Sequence, residues 1–463
     1  LLKEVIMQPF EIQLDNIIAQ QRAYFNFNAT KDISFRKKSL QRLYDAIIKY
    51  EDEINQAIYA DLGKSKEESY LTEISLVLGD IKFHLKKMAS WAKPQRVTTP
   101  IYVLPSKTKL IHEPLGVALI MAPWNYPFQL LMNSLVGAIS SGCCAILKPA
   151  PETPETVKII KKIVQEAFDP KHVALIEPTM EENAIVLEKR YDFIFFTGSP
   201  RVGKLVAQAA AKHLTPTVLE LGGKSPCIVD ESANIEIAAK RIVFGKLINC
   251  GQTCIAPDYM YVHESKKTVF IQALIKQIKA MYGKDIKNVA HYPRMIHARG
   301  AERVTGLIDQ NKVVYGGEFN TAERFIAPTI MDNVETTDTV MQEEIFGPIF
   351  PILTFSKLDE VIQYIKKNEK PLAMYYFGSE SVGLEAFRQT SSGGGCINDT
   401  LMHITNHHVP FGGVGNSGMG GYHGYYSFEA FSNKRAVVIT PTWIDLPLKY
   451  APFKYFNNIK KIM

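Results

Sequence analysis

The sequence is poor in the features that mark secreted, membrane-spanning and nucleic-acid-binding proteins. Its six cysteines are sparse for 463 residues and contain no C-x-x-C pair, so we expect reduced thiols without a disulfide framework or a metal site. No apolar run approaches the length that spans a bilayer, and the first residues contain no signal-peptide core. The 53 basic residues are interspersed with 47 acidic residues and form no basic stripe. We therefore predict a cytoplasmic protein that binds neither metal nor nucleic acid.

What the chain does contain is ordinary globular sequence. Its hydrophobic fraction of 46% and charged fraction of 22% are typical of soluble domains, and its length predicts at least two lobes. The N-terminal part is predicted to be helical. Apolar residues recur near the 3.6-residue period from Phe35 to Ala60, and Gly63 is the expected helix stop. A second helix is predicted from Leu71 to Trp91, ending before Pro94.

After this helical region the hydrophobic pattern changes to short, nearly continuous apolar runs. Three of them, Leu115–Ala122, Cys144–Leu147 and Asp192–Phe196, each end at a Pro or Gly turn and precede helix-like sequence. This pattern is typical of buried parallel strands in βαβ units. The segment 122–223 is therefore predicted to be a doubly wound nucleotide-binding lobe, whose ligands lie beyond the carboxyl ends of its strands.

Polar or small residues follow each of these three runs. Asn125 follows the first and carries an amide that can donate to an oxyanion, although a cap on the next helix is the competing interpretation. Lys148 ends the second and either faces a cofactor or is solvated. Gly198 and Ser199 precede Pro200 after the third, which suits an anion at a helix N-terminus but also an ordinary tight turn.

Two further segments supply a candidate nucleophile and a candidate base. Cys254 ends the sequence Gly-Gln-Thr-Cys, and Glu220 lies in Leu-Glu-Leu-Gly-Gly-Lys. A thiol can form a covalent adduct with a carbonyl, and a carboxylate can later activate the water that releases the product. A lone cysteine is more often a small buried hydrophobe. Cys250 lies four residues before Cys254, so a redox pair or a metal site formed by these two residues is an open alternative. The other cysteines are interpreted as core residues: Cys143, Cys144, Cys227 and Cys396.

Seven motifs occur in one order along nearly the whole chain. They are Pro123-Trp124-Asn125, Lys148-Pro149, Phe196-Thr197-Gly198-Ser199, Leu219-Glu220-Leu221-Gly222-Gly223-Lys224, Gly251-Gln252-Thr253-Cys254, Glu343-Glu344-Ile345-Phe346-Gly347-Pro348 and Pro410-Phe411-Gly412-Gly413. This series resembles the aldehyde dehydrogenase superfamily. The segments after Cys254 and around Tyr422 are most similar to the class 3, fatty-aldehyde-type branch, and to bacterial members that oxidise long apolar or terpenoid aldehydes.

The resemblance implies an NAD(P)-dependent oxidation of an aldehyde to a carboxylic acid. Cys254 would be the nucleophile, forming a thiohemiacetal and, after hydride transfer to the nicotinamide, a thioester. Glu220 would activate the hydrolytic water, and Asn125 would hold the oxyanion together with the backbone N–H of Cys254. Substrates are expected to be apolar medium- or long-chain aldehydes.

The implied cofactor is NAD or NADP. Lys148 and Glu344 would hold ribose hydroxyls, and Phe346 would pack on the nicotinamide side. The other residues implied in the nucleotide cleft are Trp124, Gly198, Ser199 and Gly203. Many members carry a carboxylate three residues after the cofactor lysine, where it binds the adenine ribose. This chain has Pro151 there, which leaves the choice between NAD and NADP open.

The implied fold class is α/β, with a doubly wound nucleotide-binding lobe, a second α/β catalytic lobe and a small β oligomerisation arm. The expected division is a nucleotide-binding domain of 1–94 and 113–219, a catalytic domain of 220–405, an arm of 95–112 and 406–436, and a tail of 437–463. The last residues, 446–463, interleave aromatics with four lysines, a composition that suits an anionic lipid surface, a tunnel cover or a partner subunit. A homodimer with possible peripheral membrane contact through this tail is expected.

Two alternatives belong to other functional classes. A non-catalytic binding relative would be expected to lose the nucleophile or the base, and both Cys254 and Glu220 are present. A thioester-transferring enzyme would pass the acyl group to coenzyme A instead of water. Glu220 disfavours that outcome, since a water-activating base would drain the thioester.

Overall fold

The computed structural model of the protein describes residues 9–445, 450–457 and 460. Its α-helices are α1 (Pro9–Asn26), α2 (Ile33–Lys49), α3 (Glu51–Leu62), α4 (Lys66–Ser69), α5 (Ser75–Trp91), α6 (Pro127–Ser141), α7 (Pro154–Ala167), α8 (Glu182–Glu188), α9 (Pro200–Ala211), α10 (Ile235–Leu247), α11 (Lys267–Tyr282), α12 (Ala298–Thr305), α13 (Thr339–Gln342), α14 (Leu358–Lys367), α15 (Glu380–Gln389) and α16 (Tyr425–Ala430). Its strands are β1 (Gln95–Val97), β2 (Lys107–Pro114), β3 (Val117–Met121), β4 (Cys144–Lys148), β5 (Val173–Leu175), β6 (Phe193–Thr197), β7 (Thr217–Glu220), β8 (Pro226–Val229), β9 (Tyr259–His263), β10 (Val313–Tyr315), β11 (Phe319–Asn320), β12 (Phe325–Ile326), β13 (Thr329–Met331), β14 (Ile349–Phe355), β15 (Ala373–Phe377), β16 (Gly394–Ile397), β17 (Gly418–Met419) and β18 (Ser432–Ile439).

The three predicted strands lie side by side in a six-stranded sheet of order β17-β7-β6-β3-β4-β5. All neighbours are parallel except β17, which pairs antiparallel with β7 at the edge. Successive side chains of β3 point to opposite faces: Val117 and Leu119 pack with α1 and α9, while Ala118 and Ile120 pack with α2, α5 and α6. Both faces are covered, which explains why these strands are continuous apolar runs.

A second sheet of seven strands has the order β10-β13-β14-β9-β8-β15-β16. Its pairs are parallel except for β10, which pairs antiparallel with β13. Two parallel sheets with intervening helices confirm the predicted α/β class.

A three-stranded antiparallel sheet of order β1-β2-β18 stands apart from the other two. Most side chains of β18 are exposed, and the strand runs to Ile439, three residues beyond the expected end of the arm at residue 436. Its part in oligomerisation, like the domain boundaries, stays a prediction. Of the expected tail, residues 446–449, 458–459 and 461–463 lie outside the described residues.

The N-terminal helices differ in detail from their prediction. The stretch from Phe35 to Ala60 is divided at Tyr50, where φ is −106° and ψ is 16°, into α2 and α3. Gly63 ends α3 as expected, with a left-handed φ of 65°. The second predicted helix begins with a π-helical turn, Tyr70–Ile74, before α5. Within the described ranges, no helix has the length and apolar composition needed to cross a membrane.

Candidate active site

The carboxyl ends of the parallel strands bring the predicted residues to one edge of the six-stranded sheet. Lys148 is the last residue of β4, and Glu220 is the last residue of β7. Asn125 follows β3, and Gly198 follows β6. Strands that run in the same direction end at the same edge, so side chains from distant parts of the chain meet there.

Cys254 reaches this edge through a tightly wound loop after α10. Asn249, Cys250 and Gly251 all have left-handed φ values, of 51°, 54° and 76°. A side chain on Gly251 would collide with the carbonyl of Gly347, so the loop requires glycine there. Gln252 fixes the loop: its Nε2 donates to Asn249 O and Arg294 O, both at 3.0 Å.

Two cavities meet at the thiol and the carboxylate. The first, of about 1070 Å³, is lined by Trp124, Ser199 and Glu344 among other polar and apolar groups. The second, of about 860 Å³, is lined mainly by apolar side chains. Residues shared by both cavities are Leu130, Thr197, Glu220 and Cys254. A nucleophile and a base placed between two cavities can act on one ligand while a second lies alongside.

Glu220 is only 2% exposed, and within the described chain neither carboxylate oxygen has a hydrogen-bond partner. Burial raises the pKa of this carboxyl well above its usual value. The group therefore binds a proton more strongly than an exposed glutamate does, which is a property that favours general-base catalysis.

The ionisation of Cys254 is opposed by its surroundings. Burial, followed by the charges of Glu344 and Glu220, raises the pKa of the thiol to about 12. Burial, followed by the charge of Asp258, raises the pKa of Glu344 to about 8. In the free protein the thiol is consequently neutral at pH 7, and it must lose its proton when the substrate is bound.

Asn125 does not cap α6, so that interpretation is wrong. The N-cap position belongs to Tyr126, which makes no side-chain capping bond. The Asn125 Nδ2 donates instead to Gln252 O at 3.0 Å. A side-chain amide has two N–H groups, so one donor is left for a ligand in the first cavity, which Asn125 lines together with Cys254.

The first cavity fits a dinucleotide. Ser199 is the N-cap of α9, Pro200 occupies its first turn, and Val202 N donates to Ser199 Oγ at 3.4 Å. The remaining N–H groups of that first turn suit a phosphate. On the other side, the Glu344 carboxylate lies against Gly222, where a Cβ would be only 2.9 Å from the carboxyl carbon. The absence of a side chain at Gly222 thus makes room for the Glu344 carboxyl group.

Phe346 and Trp124 form an aromatic pair in the same cavity. Their rings meet edge to face with centroids 5.5 Å apart. Phe346 has a left-handed φ of 50°, which orients its segment beside the catalytic loop. The two rings are perpendicular and give the cavity that Cys254 also lines an apolar, aromatic wall.

Lys148 and Gly203 stand apart from the other predicted cofactor residues. Among the described residues, neither is part of the lining of the two cavities. Lys148 is half-buried, and burial lowers the pKa of its ammonium group. Gly203 packs α9 onto Leu221, since a Cβ there would lie 2.6 Å from a Leu221 methyl carbon. Their contact with a cofactor stays a prediction.

The cysteines other than Cys254 differ in burial. Cys143, Cys144, Cys227 and Cys250 are buried, whereas Cys396 is only half-buried, with its Sγ 3.5 Å from His403 Nδ1. All six are free thiols, so Cys250 and Cys254 form no disulfide. In the described ranges, no cluster of three or more metal-binding side chains is present.

The sequence interpretation missed several residues around the site. Tyr126 lines the second cavity, and its hydroxyl lies 2.6 Å from Thr253 Oγ1, beside the nucleophile. Because Tyr126 directly follows the predicted oxyanion residue Asn125, its sequence position could have indicated a place at the site. Lys64 and Glu73 pack near Asn125; Lys64 follows the predicted helix stop at Gly63, Glu73 lies in the second predicted helix, and no local pattern singled them out.

A thiol, a buried carboxylate and an amide thus lie together where a large cleft meets an apolar cavity, an arrangement typical of a cofactor-dependent enzyme that acts on an apolar substrate. The chain belongs to the aldehyde dehydrogenase family, whose sequence model matches residues 10–437. It is therefore an NAD(P)-dependent aldehyde dehydrogenase, as the motif series predicted.

Individual relatives match almost the full length. The 4,4'-diaponeurosporen-aldehyde dehydrogenase of Staphylococcus aureus is 46% identical over 453 residues, covering 96% of this chain and 99% of the relative. The dimeric, NADP-preferring aldehyde dehydrogenase of Canis lupus familiaris is 40% identical over 438 residues, covering 94% and 97%. A solved structure titled as the substrate-bound state of Staphylococcus aureus AldH superposes with a TM-score of 0.95, at 45% identity, covering 97% of this chain and 99% of that one. Family 3 members at about 40% identity confirm the class 3 branch.

Proposed function

We propose that this enzyme oxidises an extended, apolar aldehyde to its carboxylic acid, with Cys254 as the nucleophile and Glu220 as the base. Aldehyde oxidation with NAD or NADP follows from the family. The observation that carries the substrate class is the apolar cavity of about 860 Å³ that ends at Cys254. Its apolar lining includes Leu71, Leu76, Phe244, Ile248, Met281, Leu401, Met402, Ile404 and Phe411.

A relative named for 4,4'-diaponeurosporen-aldehyde supports the same substrate class. Contact with an apolar wall favours binding of the substrate chain because it removes that chain from water, which contributes roughly 25 cal/mol per Å² of apolar surface. It offers little to a short or polar aldehyde.

The first chemical step uses the thiol. Its proton leaves through a water to bulk solvent, so that Glu220 stays free for the second step, while Sγ bonds to the carbonyl carbon and the carbonyl oxygen takes up the negative charge. The free N–H of the Asn125 amide and the backbone N–H of Cys254 donate to that oxygen, a stabilisation of about 3 kcal/mol in comparable sites. NAD or NADP, when bound in the first cavity, would supply the hydride acceptor, and loss of hydride from the same carbon would leave a thioester on Cys254.

The second step releases the product. Glu220 takes a proton from water, the resulting hydroxide adds to the thioester carbon, and the carbon–sulfur bond breaks to give the acid and the thiol. The raised pKa of Glu220, caused by its burial, suits this role, because such a carboxylate binds a proton more strongly than an exposed one. The presence of this base also disfavours transfer of the acyl group to coenzyme A.

For the cofactor, we propose that Glu344 and Lys148 hold ribose hydroxyls. Gly198, Ser199 and the first turn of α9 would face the phosphates. Further expected members of the cleft are Trp124, Gly203 and Phe346. Pro151 is exposed and carries no charge, so a 2′-phosphate meets no carboxylate from this position, and NADP should be accepted.

The proposed assembly is a homodimer in the cytoplasm. A relative is named dimeric, and Val438, Ile439 and Trp443 expose 53%, 46% and 77% of their surface, which a second subunit would cover. In the described part of the tail, Phe453, Tyr455 and Phe456 are also exposed. We propose that the tail touches an anionic membrane surface. Deletion of residues 446–463 separates this role from a dimer contact.

The direct test is a rate comparison over aldehydes from two carbons to long polyenes, with NAD and NADP in parallel. We expect kcat/KM to rise with chain length. Ile404→Trp, which fills the apolar cavity, should slow long aldehydes and spare propanal, whereas Ile101→Trp, on the exposed arm, should affect neither. A preference for short polar aldehydes, unchanged in Ile404→Trp, would refute the proposed substrate class.

A further inference from the structure

A fully buried ion pair lies directly behind the proposed oxyanion amide. Lys64 Nζ is 2.6 Å from Glu73 Oε1, and both side chains are 0% exposed. Burying two charges costs several kcal/mol per ion unless each is fully hydrogen-bonded. Neither residue is among the described residues that line the two cavities, so the pair lies outside both of them.

Glu73 anchors the start of α6. Its second oxygen accepts hydrogen bonds from Phe128 N at 2.9 Å and Gln129 N at 3.3 Å. These are donors of the first helical turn, which Tyr126 leaves without a side-chain cap. A carboxylate at a helix N-terminus is also favoured by the helix dipole. Glu73 lies in the π-helical turn Tyr70–Ile74, an irregularity that is frequent at functional sites.

Lys64 contacts both Glu73 and the backbone of Asn125. Its Nζ donates to Asn125 O at 3.3 Å and lies 4.1 Å from the centre of the Tyr126 ring. Asn249 Nδ2 donates to the same Asn125 oxygen at 2.7 Å and to Gln252 O at 3.1 Å. Because Gln252 O also accepts from the Asn125 side chain, main chain and side chain of Asn125 are both fixed.

We propose that Lys64 and Glu73 are positioning residues that hold the Asn125 amide at the oxyanion. This inference rests on the proposed role of Asn125. The pair fixes the backbone on both sides of that residue: the carbonyl through Lys64, and the N–H groups of the following helix through Glu73. The gain is geometric, since a misplacement of about 1 Å at a reacting group can cost on the order of 100-fold in rate.

The test is a double-mutant cycle between this pair and Asn125. Lys64→Met leaves Glu73 as an unpaired buried charge and risks unfolding, so Lys64→Met/Glu73→Gln, which removes both charges, is measured beside it. Each is made in the wild type and in Asn125→Ala. The readouts are single-turnover NADH or NADPH formation, cofactor affinity and Tm.

A matched control is available at the opposite end of the same helix. Arg36 is a buried cation that donates to Ser140 O near the end of α6 at 3.2 Å and to Thr30 O at 2.8 Å, remote from Asn125. Arg36→Met should lower Tm without coupling to Asn125→Ala.

Asn125→Ala alone should slow the single turnover by about 100-fold or more. The charge-neutral pair variant should slow it by about 10- to 100-fold in the wild type but by no more than about twofold in Asn125→Ala, with cofactor affinity kept. Equal effects in both backgrounds would overturn the inference, as would the same coupling from Arg36→Met. If Asn125→Ala reacts at the wild-type rate, it is the proposed oxyanion role that fails.

Discussion

Gly222→Ala should weaken cofactor binding without unfolding the enzyme. The added Cβ would be 2.9 Å from the carboxyl carbon of Glu344, whereas carbon atoms in contact are about 3.5–4.0 Å apart. The carboxylate must therefore retreat by roughly 1 Å. It is the mobile end of a side chain, so the fold should tolerate the shift.

A retreat of that size breaks the proposed hydrogen bond from Glu344 to a ribose hydroxyl, because such bonds span about 2.5–3.0 Å. With its pKa raised to about 8, the Glu344 carboxyl is mostly neutral at pH 7, and a hydrogen bond between neutral groups contributes about 0.5–1.5 kcal/mol, so the Kd of NAD or NADP should rise by about 2- to 10-fold. Fluorescence titration with reduced cofactor measures this directly. The matched control is Gly306→Ala, where the nearest atoms are at an ordinary 3.4 Å. Wild-type cofactor affinity in Gly222→Ala would refute the role assigned to Glu344.

Three further outcomes are expected. The raised pKa of Cys254 means that the reactive thiolate grows with pH, so inactivation of the free enzyme by iodoacetamide should accelerate about tenfold per pH unit up to pH 10; a plateau near pH 8 would contradict it. Pro151→Glu should shift the kcat/KM ratio from NADP toward NAD, and an enzyme already strict for NAD would show that another residue selects the ribose. Deleting residues 446–463 should raise KM for long aldehydes only and abolish salt-sensitive binding to anionic vesicles; a truncated enzyme that loses its dimer but keeps its vesicle binding would assign the tail to the subunit contact.

The strand ends were predictable because burial on both faces leaves a plain trace in sequence. The apolar runs of β3, β4 and β6 each end at a turn that contains proline or glycine and is followed or preceded by a polar residue, and the parallel arrangement brings these turns together. The roles of Cys254 and Glu220 as nucleophile and base were predicted from the motif series, since a lone cysteine or glutamate in a sequence indicates little by itself.

The surroundings of Asn125 were not predictable from local sequence. A helix cap and an oxyanion donor require the same residue type, and only the hydrogen bond to Gln252 decides between them. Lys64 lies in the short connection between α3 and α4, and Glu73 lies in the π-helical turn Tyr70–Ile74. Charged residues in such segments are normally solvated, and amphipathic periodicity reveals neither the π-helical turn nor the pairing.

The apolar cavity was equally hidden. It combines side chains from separate elements, including Leu71, Phe244 and Met402. Tertiary packing alone turns these exposed or half-exposed apolar residues into a wall. The sequence could therefore indicate the chemistry of the site far better than the shape that selects its substrate.

The central claim, a covalent acyl intermediate on Cys254 that Glu220 resolves, is tested most directly by intact-protein mass spectrometry of Glu220→Gln after mixing with a long-chain aldehyde and NAD or NADP. We expect a burst of about one reduced cofactor per active site, no further turnover, and a mass increase equal to the acyl group. The adduct should map to Cys254 and be absent from Cys254→Ala/Glu220→Gln. Steady turnover in Glu220→Gln without an accumulated adduct would contradict the account.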